Sequence, residues 1–288
     1  MEFVSLLTII YEKPYNCFME LDVLEKEAEE IDFDFLKQPL SSTKSENRIC
    51  DETLVIVLKT NNAISSDFSV CGKSLIDWVK LSSAMCKQKV LYEPSEEEFL
   101  SKIREASEGF KFVVVLYSDT PLLQRETFLK ILDYFSNKKM NVLKFERGYV
   151  FKQEFLENAK MILSSVYQKF GDEDFFRVCD AESVSMAFEI LNERILDYHK
   201  KNGVVMFGEG TIFVDADVEI EEGVLIFSNN TICGHSVIGK NVVLESGNVI
   251  FDTEICDGAK ISNCVLKNCK VKNRKIVGPF ENLCDKEI

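Results

Sequence analysis

The sequence predicts an α/β layer with a mostly parallel sheet, followed by a parallel β-helix. Three observations carry this. Two continuous apolar runs, LVIVL at residues 54–58 and FVVVLY at residues 112–117, alternate with amphipathic stretches. That is the pattern of strands buried on both faces and joined by helices. From Val214 every sixth residue is aliphatic: Val214, Ile220, Ile226, Ile232, Ile238, Leu244 and Ile250. Glycine is uneven, with four of 13 before residue 200 and nine between Gly203 and Gly278, which sets a domain boundary near residue 205.

Residues 1–50 read as an N-terminal extension or added subdomain. They hold a strand-like Phe3–Tyr11, an acidic helix-like Leu21–Glu30 and a polar linker or loop at Lys37–Arg48. Residues 51–204 form the α/β domain, opened by LVIVL. Leu75–Ala84 reads as a helix with Leu75, Ile76, Val79 and Leu81 apolar, and Val90–Tyr92 as a short strand. Ser95, before Glu96-Glu97-Glu98, is placed to cap a helix reaching about Ala106, with an acidic first turn that suits the helix dipole. FVVVLY is the second buried strand. Thr120-Pro121 ends it, and a helix follows from about Gln124 to Phe135. Asn141–Phe145 reads as a strand, Glu154–Lys169 and Ala181–Lys200 as helices.

Residues 205–288 form the β-helix. A helix cannot use a period of six, whereas a coil of three flat faces sends one aliphatic inward per face. Val218, Val224, Ser236 and Val242 fill positions four further on, and Gly234, Gly239, Gly247 and Gly258 punctuate the turns. The register slips near Cys256 and resumes through Ile261, Val265, Val271 and Ile276. Residues 212–280 then make roughly four coils.

Composition narrows the function classes. Among 288 residues, 34 basic and 48 acidic side chains give a net charge of −14, and −8 of it lies in the first 52 residues. A nucleic-acid binder needs a basic footprint, so no nucleic-acid partner is expected. No apolar run approaches the roughly 18–20 residues of a membrane span. The opening ten residues lack a basic n-region and a cleavage site. The expected location is the cytoplasm, away from membranes. Ten cysteines without a C-x-x-C pair, and two histidines, make a structural zinc site a poor reading. Reduced thiols serving as small hydrophobes are expected instead.

In an open parallel sheet, ligands bind outside the carboxyl ends of the strands. Two such ends stand out, Leu58-Lys59-Thr60-Asn61-Asn62 and Tyr117-Ser118-Asp119-Thr120-Pro121. Asp119 has two readings: a carboxylate holding Mg²⁺ against a phosphate, or a turn residue before Pro121 and its helix. The segment after LVIVL has no glycine between residues 54 and 71, and so lacks the usual means of cradling a phosphate. Asn61 and Asn62 tolerate left-handed backbone but read as a simple loop. His235 reads as a turn residue outside a coil rather than a general base. Lys267, Lys270, Lys272, Arg274 and Lys275 read as a solvated basic face.

Leu116-Tyr117-Ser118-Asp119-Thr120-Pro121-Leu122-Leu123, Leu191-Asn192-Glu193-Arg194, Thr231–Gly239 and Val277-Gly278-Pro279-Phe280 carry a family resemblance, with Gly72-Lys73 as weaker support. Over about residues 54–285 the chain resembles the bacterial bifunctional N-acetylglucosamine-1-phosphate uridylyltransferase/glucosamine-1-phosphate acetyltransferase family, and more broadly the sugar nucleotidyltransferases. The resemblance implies a Rossmann-like nucleotidyltransferase domain followed by a left-handed parallel β-helix of hexapeptide repeats. It implies a homotrimer, a nucleotide or sugar-nucleotide ligand, and Mg²⁺ held by Asp119 and Asn192. Both residues are thereby candidates for cofactor and metal binding.

The departures bear on catalysis. The family's L-A-A-G-x-G-T-R-M loop is Leu58-Lys59-Thr60-Asn61-Asn62-Ala63-Ile64-Ser65 here. It lacks the glycines and arginine, and the following P-K lysine is missing too. The uracil-reading Q-x-x-x-x-G-T-G is replaced by Glu93-Pro94-Ser95-Glu96, and the sugar-reading region between Phe135 and Glu154 is largely deleted. Each lost phosphate or oxyanion donor is worth about 10²–10³ in rate. The sequence therefore points to a divergent UDP-N-acetylglucosamine pyrophosphorylase-like protein with weak or lost catalysis. The alternative is a non-catalytic sugar-nucleotide sensor or structural subunit. Acetyl transfer is not expected, because the family's base lies in later coils.

Overall fold

The computed structural model describes residues 49–138, 140–162 and 165–288. The features expected at Phe3–Tyr11, Leu21–Glu30 and Lys37–Arg48 lie outside the described residues.

The α/β domain runs β1 (Thr53–Lys59), a small hairpin of β2 (Ser69–Val70) and β3 (Lys73–Ser74), and helix α1 (Leu75–Ser82). Next come β4 (Lys87–Tyr92), α2 (Phe99–Ala106), β5 (Phe112–Tyr117) and α3 (Arg125–Asn137). It closes with β6 (Val142–Phe145), β7 (Gly148–Lys152), α4 (Gln153–Asn158), β8 (Val166–Tyr167) and α5 (Ala181–Lys201). The sheet order is β4-β1-β5-β7-β6-β8. β1 is parallel to β4 and β5, and β6 to β8; β7 runs antiparallel to both β5 and β6.

The pleat sorts the apolar runs into two cores. Val55, Val57, Val114 and Leu116 pack with Ile76 and Val79 of α1 and Phe128 and Ile131 of α3. Leu54, Ile56, Leu58, Val113 and Val115 pack with Ile103 of α2 and Leu156 of α4 on the opposite face. This three-layer burial explains why both strands are apolar at every position. The chain leaves β1 for β4 on one side and returns to β5 on the other, so the topology switches between β1 and β5.

Two local expectations are corrected. Ser95 does not cap α2: its carbonyl accepts from Glu98 N at 3.1 Å, and the glutamates form a turn ahead of the helix. The helix expected over Glu154–Lys169 stops at Asn158. Arg104 takes the carbonyls of Leu156 and Ala159 at 2.5 Å each, and Val166–Tyr167 pairs with β6 as an edge strand. β-branched and aromatic residues suit that role.

From Val205 onward the chain builds three parallel sheets of five, four and five short strands. All seven aliphatics of the period-six series point inward and are buried. Beyond Ile250 the inward series is Ile255, Ile261, Leu266, Val271 and Val277. Val265 is only partly buried and Ile276 is 72% exposed, which corrects their expected inward placement. Three of these steps span five residues instead of six. Each shortened step has left-handed backbone at its corner, at Asp252, Asn263 and Asn268. At one corner only glycine fits: Gly234 has φ +68°, and a Cβ would lie 2.2 Å from Asp252 Oδ1.

Candidate functional site

The switch point between β1 and β5 is the natural ligand crevice, and the chain leaving β1 closes onto it. Thr60 N donates to Ser118 Oγ at 3.1 Å, and the Ser66 and Ser118 hydroxyls lie 2.8 Å apart. Ser118 and Ser66 are buried. Lys59 pairs with Asp67 across the loop at 2.7 Å. None of residues 53–70 adopts a positive φ, Asn61 and Asn62 included. Successive amides therefore do not converge into a phosphate nest. A hydroxyl cluster fills this end of the crevice.

Asp119 stands at the tip of β5, 1% exposed. Two arginines reach it from distant sequence. β6 and β7 are joined by the two residues Glu146 and Arg147, and the register sets Gly148 against Leu116. A side chain at Gly148 would meet the Phe145 ring at 2.2 Å and Val115 O at 2.4 Å, so this hairpin lies close against β5. Arg147 is thereby delivered to Asp119, with Nε 3.2 Å from Oδ1 and Nη2 3.0 Å from Oδ2. Its guanidinium lies over the Tyr117 ring at 3.8 Å. Burial pushes the Tyr117 hydroxyl up to about 12, leaving it neutral at pH 7. The segment before α5 is tied to the strand tip by Val178 N donating to Asp119 O at 2.8 Å. That bond places Arg177, whose Nε lies 3.2 Å from Asp119 Oδ2. Asn62 Nδ2 donates to the same oxygen at 3.3 Å.

Four donors thus converge on one carboxylate, three on Oδ2 and one on Oδ1. The arrangement does not suit Mg²⁺, which seeks free oxygen ligands in octahedral geometry. A divalent ion about 4 Å from one guanidinium meets roughly 8 kcal/mol of repulsion at an effective dielectric near 20. No group of three or more metal-ligating side chains occurs among the described residues.

Asn192 is engaged elsewhere. Its Nδ2 donates to Ile212 O at 2.9 Å, and its Oδ1 accepts from Val214 N at 3.1 Å. Both ends of the amide join α5 to the first β-helix coil. Arg194, two residues on, donates to Leu122 O at 2.8 Å and supports the turn after Asp119. Gly72 and Lys73 also face the β-helix, Gly72 against Asp215 and Lys73 paired with Asp217 at 2.6 Å. His235 is exposed at a corner. Lys270 pairs with Glu254 at 2.7 Å, and Lys272 lies 3.5 Å from Glu287. The nine described cysteines are free thiols.

Sequence reasoning reached Asp119 but missed Arg147 and Arg177. The one available signal was a charged two-residue turn followed by glycine, Glu146-Arg147-Gly148.

No protein-family model matches the chain. Bifunctional protein GlmU of Lactobacillus delbrueckii subsp. bulgaricus is 31% identical over 111 residues, 38% of this chain and 24% of that protein. The proteins of the same name from Clostridium botulinum and Streptococcus thermophilus are 31% and 30% identical over 127 and 129 residues. The chain is a distant relative of bifunctional GlmU. The GlmU alignments span about a quarter of those proteins' own length. Among solved structures, molybdopterin-guanine dinucleotide biosynthesis protein A from Archaeoglobus fulgidus overlays with TM-score 0.38 and 18% identity, covering 49% of this chain and 99% of that one. A cytidylyltransferase from Leptospira borgpetersenii gives TM-score 0.30 and 9% identity, over 37% and 63%. No helix among the described residues is long and apolar enough to cross a membrane.

Proposed function

We propose that this GlmU-like chain keeps a sugar-nucleotide ligand in the crevice between β1 and β5 while uridylyl transfer is weak or lost. One observation carries the reading. The groups that would need to be free for phosphoryl transfer are engaged within the protein: the loop after β1 is closed by the Thr60, Ser66 and Ser118 hydroxyls. Asp119 is neutralised by Arg147 and Arg177. Phosphoryl transfer depends on placed donors and charge, and a closed loop supplies few. Mg²⁺ has no part in this reading, and the protein works in the cytoplasm. The test mixes UTP, N-acetylglucosamine-1-phosphate and Mg²⁺ with the purified full chain and follows pyrophosphate release. UDP-N-acetylglucosamine is titrated in parallel. Binding with little or no turnover is expected. Sustained turnover would refute the loss of catalysis, and absence of binding would refute the ligand.

A second role has its own support. Phe213, Val249 and Phe251 are exposed on one sheet of the β-helix, and Phe207 and Phe227, whose rings stack at 5.0 Å, follow strands of another. Apolar groups gathered on an outer face favour association. We read the β-helix as a trimerisation element. Sedimentation equilibrium giving three times the chain mass is expected, and a monomer at micromolar concentration would refute it.

A further inference from the structure

We infer that the strand-tip crevice binds a phosphate or diphosphate group through Arg147 and Arg177 without a divalent cation, Asp119 being the positioning residue. The inference rests on the sugar-nucleotide reading only for the source of that phosphate.

The charge count comes first. One buried carboxylate faces two guanidinium groups. Glu93, ion-paired with Arg147 Nη2 at 4.0 Å, is a second counter-charge, and Lys59 already has Asp67. Asp119 and Glu93 together balance the two arginines, so the cluster offers directed donors rather than excess charge, and among the described residues Arg177 has no carboxylate partner but the Asp119 it shares with Arg147.

Orientation comes next. Arg147 is fixed by two bonds to Asp119 and by the Tyr117 ring beneath it, and a guanidinium held in place loses little freedom on binding. Arg177 gives Asp119 only its Nε, and its side chain is 48% exposed. Its Nη1 and Nη2 make no hydrogen bond among the described residues. They form a fork of the width that phosphate oxygens accept in pairs. The two arginines meet at the carboxyl edge of the sheet, at the switch point where α/β sheets take ligands. Charge that Mg²⁺ would bring is already present as side chains. A bound metal would instead have to displace Arg147 and Arg177 from the carboxylate.

Calorimetric titration of the full chain with sodium pyrophosphate and with UDP-N-acetylglucosamine, each in excess EDTA and again in Mg²⁺, tests this. Both are expected to bind in EDTA, with Kd changed less than about twofold by Mg²⁺. Arg177→Gln and Arg147→Gln are each expected to weaken both ligands by about tenfold or more, the loss of a charge-assisted contact. Unchanged melting of the half-exposed Arg177 variant shows that its fold is intact. Asp119→Asn keeps an acceptor for the arginines and removes a negative charge, so pyrophosphate in EDTA is expected to bind as tightly or tighter. Loss of binding in that variant would overturn the positioning role. Pyrophosphate binding without sugar-nucleotide binding keeps the arginine site and refutes the sugar-nucleotide reading. Sugar-nucleotide binding that requires Mg²⁺ does the reverse. Failure of both ligands in both buffers removes both.

Discussion

In the β-helix, each inward side chain has a counterpart one coil away, so what a residue does is fixed by its place in a short repeat. Ile232 pairs in register with Ile250, and Ile250 with Leu266. In the strand-tip crevice no such local rule operates. Arg147 and Arg177 meet Asp119 from 28 and 58 residues away in sequence, through a hairpin register and a backbone bond. A repeat makes structure local, while a site assembled from loops is set by packing over long sequence separations.

The sharpest way to break the comparison is within the repeat. Ile250 is fully buried, while the next residue, Phe251, is 46% exposed. Ile250→Ala is expected to cost about 2–5 kcal/mol in denaturant unfolding. In the dissociated chain Phe251→Ala is expected to change stability by less than about 1 kcal/mol. In the trimer proposed above the outer face is covered, so the two losses should converge as protein concentration rises; a Phe251→Ala loss that stays small at every concentration would count against trimerisation through this face.

The junction between the two regions gives the next largest effect. Asn192→Leu leaves Ile212 O and Val214 N buried without their partner, a loss of about 2–3 kcal/mol. Pyrophosphate affinity should hold within twofold, because the amide serves the junction. A loss of affinity matching that of Arg177→Gln would place Asn192 in the crevice instead.

The same contrast explains what could be read from the sequence. LVIVL and FVVVLY declare strands because both faces of the sheet are covered, and the series from Val214 to Ile250 declares the coils because each flat face needs one aliphatic. Beyond Ile250 the period shortens, so Val265 and Ile276 fit a six-residue grid on paper while Leu266 and Val277 fill the core. Corner residues able to turn left-handed at the cost of one fewer residue decide this, and a fixed period cannot reveal it. The helix expected to Lys169 fails for a related reason: Arg104, some 50 residues earlier, ends α4 by taking its last carbonyls. Asp119 was legible from its position after a buried strand. Its partners were not, because an arginine in a loop carries no local mark of where it folds. Asn192 sits in a motif-like stretch, yet its amide answers the backbone of the first coil.

A milder perturbation tests the corners. Gly234→Ala forces a Cβ against Asp252 at left-handed φ, and Gly109→Ala meets left-handed φ (+88°) with nothing within 4 Å. The first is expected to cost about 1–3 kcal/mol and the second about 1 kcal/mol. Equal costs, measured by chemical unfolding, would mean that the corner relaxes and that stacking does not depend on the tight approach of Gly234 to Asp252.

A pH slope is expected at Cys71, which lies in the β2–β3 turn against the β-helix. Burial, then the charges of Asp215 and Cys233, pushes its thiol up to about 12. Between pH 9 and 12 the unfolded thiol ionises while the folded one stays protonated, so the unfolded state binds fewer protons and stability falls as pH rises. By pH 10 the loss is about 1.5–2 kcal/mol. Cys71→Ala should remove that part of the slope, read as the difference between the two proteins' unfolding midpoints at pH 8 and 10. At pH 8 the native thiol should also resist iodoacetamide while exposed Cys284 reacts, because alkylation needs an accessible thiolate. Rapid labelling of Cys71 under native conditions would mean that the seam between hairpin and coil opens far more readily than the coils themselves, sharpening the contrast between a self-supporting repeat and the parts held to it by side-chain contacts.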